Sequence, residues 1–207
     1  MLSLVRVALL LAPALFVPAG IEPFEAPKAA VVRIAGIAIL AWAAAWPGRL
    51  RGLGRTPLDV AGGAWLAVEV AATLASRAPW LSLFGEQRQH EGLLTSLGLA
   101  GLYLGARLAV RGPAGAIGVV DAWLSGTAVA GGYALLQAAG LDPAPWRDTA
   151  VLAGTLRPFG TLGHPNLLGL VTAAAAVVAL TRAALGIGPR WLLLGAAGLF
   201  GAATLVT

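Results

Sequence analysis

Seven stretches of largely apolar sequence divide this chain, separated by breaks that carry most of its charges and prolines and many of its glycines. They run Leu2–Val17, Ala29–Trp46, Leu58–Ala75, Leu93–Val110, Ala116–Ala138, Leu167–Leu185 and Trp191–Thr207. A helix that crosses the hydrocarbon core of a bilayer needs about 20 mostly apolar residues, with a range of about 17–25. Inside that core every backbone N–H and C=O must be bonded within the protein, which leaves only helices and closed barrels. The Ala/Leu/Val/Gly-rich blocks lack the two-residue alternation of a barrel strand, so all seven are predicted to be helices. The expected fold is therefore all-α, a polytopic transmembrane bundle of about seven spans forming one transmembrane domain over residues 1–207.

Composition closes off the other classes. Of 207 residues, 58% are hydrophobic and 11% charged, whereas a soluble domain carries about 25% charged residues. A chain this apolar does not remain dissolved and unstructured either. The formal net charge of +5 would suggest nucleic acid in a soluble protein. Here it reflects the way basic loops orient membrane segments, and no nucleic-acid partner is expected. With no cysteine, disulfides, thiolate chemistry and thiolate metal sites fall away.

The first segment can also be read as a cleaved signal peptide, because Val17 and Ala19 follow a short apolar run behind Arg6. On either reading the chain emerges outside before Ile21. Assigning loops alternately places Arg6, Arg49, Arg51, Arg55, Arg107, Arg111, Arg182 and Arg190 on one side and Lys28, Arg33, Arg77, Arg88, Arg147 and Arg157 on the other. The eight-residue side, with three arginines in the Pro47–Pro57 loop, is taken as cytoplasmic, together with the amino terminus. The outer loops are then approximately 18–28, 76–92 and 139–166. Basic residues held outside against this bias call for a reason, and an anionic ligand is the natural one. No repeat of 20–50 residues is present.

The third outer loop ends Arg157-Pro-Phe-Gly160-Thr161-Leu-Gly163-His164-Pro-Asn166, directly before the sixth segment. Asn166 is suited to cap that helix, Gly160 and Gly163 let backbone approach a ligand, and a helix amino terminus favours an anion. Arg157 offers a charged fork that matches phosphate, and His164 can donate a hydrogen bond or accept a proton. The plainer alternative is a glycine-rich re-entry loop whose arginine sits among lipid headgroups. In the second outer loop, Glu86 to Glu91 form six consecutive polar residues. Arg88 can contact phosphate there, with Glu86 or Glu91 steadying it or acting as a base, or the stretch is a solvated turn. The first outer loop reads as a proline-stiffened link in which Glu22 and Glu25 make a poor cation cage.

Two carboxylates interrupt apolar runs, Glu69 and Asp121, and such groups are functional candidates by default. Glu69 stands seven residues before Ser76, about 10 Å of helix from the outer surface. Asp121 lies nearer the inner end, where Arg107 or Arg111 can pair with it. Trp80 and Trp146 suit headgroup-level anchors. No nucleophile elbow, P-loop, zinc-type histidine spacing or dinucleotide fingerprint occurs.

Two of these stretches, Phe84-Gly85-Glu86-Gln87-Arg88-Gln89-His90-Glu91-Gly92-Leu93-Leu94-Thr95 and Arg157 to Asn166, resemble the O-antigen ligase and polymerase superfamily, and Glu22 to Lys28 resembles that family's first outer loop. The resemblance implies a fold like that of GT-C glycosyltransferases in a bacterial cytoplasmic (inner) membrane. It implies transfer of a glycan from an undecaprenyl-diphosphate carrier to an acceptor hydroxyl on a glycolipid, protein or polysaccharide at the outer face, in lipopolysaccharide or other cell-envelope synthesis. No cofactor, nucleotide sugar or metal is implied. Arg157, Arg88, His164 and Glu91 become the expected catalytic residues, and Gly160, Thr161, Gly163, Asn166 and Glu69 the expected substrate-binding ones. His164 stands where the family commonly has asparagine. The family also has more spans and a large outer loop in its second half, so the chain reads as an amino-terminal fragment, inactive alone. A competing expectation is a transporter that uses Glu69 and Asp121 as coupling carboxylates.

Overall fold

The computed structural model describes every residue except 20, 21, 52, 87–89, 145, 147–150, 153 and 154. Among the described residues the chain is helical: α1 (Leu2–Ala14), α2 (Glu25–Ala45), α3 (Pro57–Leu74), α4 (Pro79–Phe84), α5 (Leu93–Ala109), α6 (Gly112–Ala138), α7 (Pro165–Ala184) and α8 (Arg190–Leu205). Each of the seven apolar runs overlaps one of the longer helices, five of which begin one to four residues before the run. Four of these, α2, α3, α6 and α7, are long and apolar enough to cross a membrane, while α1, α5 and α8 are shorter apolar helices. Two features were not expected from the sequence. The six-residue α4 lies inside the 76–92 loop, and a two-residue antiparallel pair, Val151 opposite Leu156 and Leu152 opposite Thr155, lies inside the 139–166 loop.

The chain packs as two units, Met1–Ala8 with Glu25–Val119, and Leu9–Phe24 with Val120–Thr207. In the first, α2 and α5 meet backbone to backbone. A methyl group added at Gly36 would lie 1.8 Å from the Gly98 carbonyl oxygen, and one at Gly101 would lie 2.0 Å from that of Gly36. In a bilayer, where lipid is as apolar as leucine, such small-residue seams supply the van der Waals contact that holds helices together. α3 joins this unit mainly through its first turn. Thr56 and Asp59 form a reciprocal capping box, and Asp59 also accepts from the Tyr103 hydroxyl at 2.8 Å and pairs with Arg107 at 3.2 Å. No residue of α3 is buried.

The second unit is built on α7 against α8, where Ala175, Ala179, Ala197 and Phe200 pack with Leu124 of α6. The Thr172 and Thr204 hydroxyls meet across this seam at 2.8 Å. Asp121 is paired with Arg182. The expectation that Asp121 pairs with Arg107 or Arg111 is therefore corrected: its partner lies 61 residues onward, on the adjoining α7. A second cluster, Ala130, Ala134, Leu162 and Leu168, ties α6 and α7 to the loop between them.

Candidate functional site

The Arg157–Asn166 loop is shaped from beneath by one amide. Gln137, in the last turn of α6, is 1% exposed, and its Oε1 accepts from the backbone N–H of Phe159 at 3.1 Å and of Gly160 at 2.8 Å. Its Nε2 donates to Asp142 Oδ2 at 2.8 Å. Asp142 also accepts from the Tyr133 hydroxyl at 2.6 Å, the Ala144 N–H at 2.9 Å and the Trp146 indole at 2.8 Å. Around this network Phe16, Phe24, Tyr133, Trp146 and Phe159 form an aromatic cluster with ring centroids 5.0 to 6.3 Å apart. Trp146, expected as a headgroup anchor, is thus a packing and hydrogen-bonding residue.

Two glycines let the loop turn over this base. Gly160 and Gly163 both have positive φ, +56° and +76°, and a side chain at Gly163 would strike the Phe24 ring. Thr161 is fully buried and its hydroxyl donates to the Pro13 carbonyl. Gly160 and Thr161 therefore set the path of the loop from inside the protein. The residues that face outward from it are Arg157, His164 and Asn166.

Here the expected helix cap is corrected. His164, not Asn166, is the N-cap of α7, and its Nδ1 accepts from the Asn166 N–H at 3.2 Å. The reason is local: a residue before proline is pushed into extended backbone, the geometry an N-cap needs, and Pro165 fits the first helical position because it has no N–H to leave unpaired. Arg157 reaches over this helix end. Its Nη2 donates to Asn166 Oδ1 at 3.2 Å and its Nε to the Thr207 carbonyl at 2.7 Å. A guanidinium, an imidazole with its outer nitrogen exposed and an amide thus surround the positive end of a 20-residue helix, an arrangement suited to an anion.

The Asp142 network has a consequence in acid. Burial pushes the Asp142 carboxyl up, but the Tyr133, Ala144, Gln137 and Trp146 donors outweigh it and hold the group below the usual carboxylate range. A depressed folded-state pKa gives stability that is fully present above the unfolded value, about 3.9, and that is lost as pH falls below it through the folded value. Protection of the Phe159 and Gly160 amides, taken as exchange relative to the intrinsic rate at each pH, is expected to stay high at neutral pH and to fall only below about pH 4. Hydrogen exchange read by mass spectrometry checks this, and Asp142→Asn should remove the acid-dependent step.

At the 76–92 loop, Arg33 of α2 does what the sequence does not reveal. Its Nη2 donates to the carbonyls of Phe84 at 2.7 Å and His90 at 2.8 Å, and its Nε donates to Thr95 Oγ1 at 2.9 Å. Arg33 thus fastens the loop closed. Gly85, at φ +80°, allows the crossing: a side chain there would lie 2.5 Å from the Glu91 nitrogen. Glu86 and Glu91 are exposed on the closed loop, whereas Arg88 lies outside the described residues. Glu69 sits partly exposed on α3. Glu91 and Glu69 belong to the first unit, and Arg157, His164 and Asn166 to the second. Among the described residues no three His, Asp or Glu side chains converge as a metal site would require.

Compared with protein-family models, curated proteins and solved structures, the chain matches none of them.

Proposed function

We propose that the protein is a membrane glycosyltransferase of the O-antigen ligase or polymerase type, with seven spans in this chain, a GT-C-like fold and a cytoplasmic amino terminus. In this reading it transfers a glycan from undecaprenyl diphosphate to an acceptor hydroxyl at the outer face of a bacterial cytoplasmic membrane. The observation that carries the reading is the Arg157 guanidinium beside Asn166 at the amino terminus of α7. The acceptor oxygen attacks the anomeric carbon with inversion, the bond from that carbon to the diphosphate oxygen breaks, and the electron pair stays on the diphosphate. Arg157 meets the charge that develops on this leaving group. The acceptor's proton passes to a base, for which His164, on the same loop as Arg157, is the candidate.

Gly160, Thr161 and Gly163 act in this scheme by fixing the loop, and Asn166 by steadying the guanidinium. The transporter alternative loses one of its two free carboxylates, since Asp121 is already paired with Arg182.

The reading needs residues 139–166 outside the cytosol. Because the chain has no cysteine, Ala139→Cys, at an exposed position, gives a single labelling site. A membrane-impermeant maleimide should label it in intact spheroplasts. Labelling only after the inner membrane is opened would put the loop in the cytosol and end the proposal.

A further inference from the structure

α3 stands apart from the other long helices. None of its 18 residues is buried, and Leu58, Val60, Val68 and Leu74 are each more than 60% exposed. It meets α5 and the short α4, and beside α5 it leaves a groove of about 340 Å³, lined by Leu58, Gly62, Trp65, Leu66, Leu99 and Ala100. That volume falls within the roughly 300–1,000 Å³ range of small-ligand sites. From Leu58 to Leu66 the groove extends about 12 Å along the helix, at about 1.5 Å per residue.

The groove exists because side chains are missing from it. Gly62 and Gly63 lie in the helix interior, where each glycine weakens a helix by about 1 kcal/mol relative to alanine. Unlike Gly36, Gly98 and Gly101, they are not in contact with a neighbouring backbone: a methyl group added at either would have no atom within 4 Å.

The two ends of the groove differ. At the α3 amino terminus Asp59 and Tyr103 close it. The Asp59 carboxylate is already saturated, accepting from Thr56 N at 2.6 Å, Thr56 Oγ1 at 2.8 Å and the Tyr103 hydroxyl at 2.8 Å while facing Arg107 at 3.2 Å. Arg107 also donates to the Gly54 carbonyl at 2.6 Å, which draws the preceding loop to the same end. That loop carries Arg49, Arg51 and Arg55, all exposed. With Asp59 paired to Arg107, the loop drawn to the polar end carries an excess of positive charge, its Arg49 lying over the Trp42 ring at 5.6 Å.

We propose that the α3–α5 groove binds one acyl chain of an anionic phospholipid, with the phosphate headgroup held by Arg49, Arg51 and Arg55. Charge complementarity selects this occupant. Another helix laid on Gly62 and Gly63 would fill the slot and give the arginines nothing to meet, whereas an anionic lipid satisfies both halves of the site. This site stands independently of glycan transfer, so its failure leaves the Arg157 reading untouched, and the reverse holds too.

Trp65 provides the measurement. The protein is reconstituted in phosphatidylcholine vesicles in which a varied fraction of the lipid carries dibrominated acyl chains, either as phosphatidylglycerol or as phosphatidylcholine. Quenching of Trp65 is taken as wild type minus Trp65→Phe. Half-maximal quenching is expected at a roughly tenfold lower mole fraction of brominated phosphatidylglycerol than of brominated phosphatidylcholine. Gly62→Leu, which has room for its side chain, should abolish that preference without touching a charge. The triple change Arg49→Gln, Arg51→Gln, Arg55→Gln should abolish it too. Equal quenching curves for the two lipids in the wild type, a preference that survives Gly62→Leu, or a Trp65 that neither lipid quenches would each overturn the proposal.

Discussion

Replacing Arg157 with alanine is expected to lower glycan transfer about a thousandfold, the scale on which loss of one well-placed group that stabilises transition-state charge is felt. The protein should still insert and accumulate normally. Arg157 is only partly buried, and the two hydrogen bonds it gives up, to Asn166 and to Thr207, contribute about 1 kcal/mol each. The kinetic form of the loss is informative. An arginine that merely holds the diphosphate carrier would raise KM and leave kcat alone, whereas one that meets charge appearing on the leaving group lowers kcat. The expected result is a fall in kcat. Arg157→Lys keeps the positive charge and loses the planar fork, so it should recover part of the activity and not all. The measurement is transfer of a radiolabelled lipid-linked glycan by the purified full-length protein, with protein level checked on the same membranes. Undiminished transfer by the alanine variant would remove Arg157 from the mechanism.

The helices were legible in the sequence because the constraint that makes them is a composition rule. A run of apolar residues long enough to cross a bilayer has no way to satisfy its backbone except as a helix or barrel strand, so Leu58–Ala75 becomes α3 even though almost nothing packs on it. What was not legible depends on partners far apart in sequence. Nothing near Arg33 announces that its guanidinium will fasten carbonyls 51 and 57 residues away. Asp121 was matched with the nearest arginines in sequence, whereas helix packing offers it Arg182. The cap of α7 was a different kind of miss. The preference of asparagine for N-cap positions pointed to Asn166, yet Pro165 already fixes the boundary, since it forces extended backbone on His164 and cannot itself donate. That signal was present in three consecutive residues. Asp142 and Gln137 were also open to inspection: an uncharged amide in the apolar run Ala116–Ala138 must find partners in a membrane, and an aspartate four residues before an indole has one donor within easy reach.

Gln137 is where fold and site meet, and its removal should be the more destructive change. Gln137→Leu is close in volume and keeps the helix, but it strips the acceptor from two N–H groups, those of the buried Phe159 and Gly160, and one donor from Asp142. Each buried N–H left unpaired costs about 1–3 kcal/mol, with less again for the weakened Asp142 network, so the loop is expected to lose roughly 3–6 kcal/mol of local stability. Because α7 packs along its length against α8, that helix should survive while the 157–164 segment comes loose above it. Hydrogen exchange would then show fast exchange confined to the loop, with α7 and α8 amides still protected, and glycan transfer would fall as far as in the Arg157 variant although Arg157 is untouched. Gln137→Glu offers the contrast. Its carboxylate still accepts from both N–H groups, but it faces Asp142 without the amide's donor, so near neutral pH the loop should stay closed while the Asp142 end opens. Protection of Phe159 and Gly160 retained in Gln137→Leu would mean that the aromatic cluster alone holds the loop.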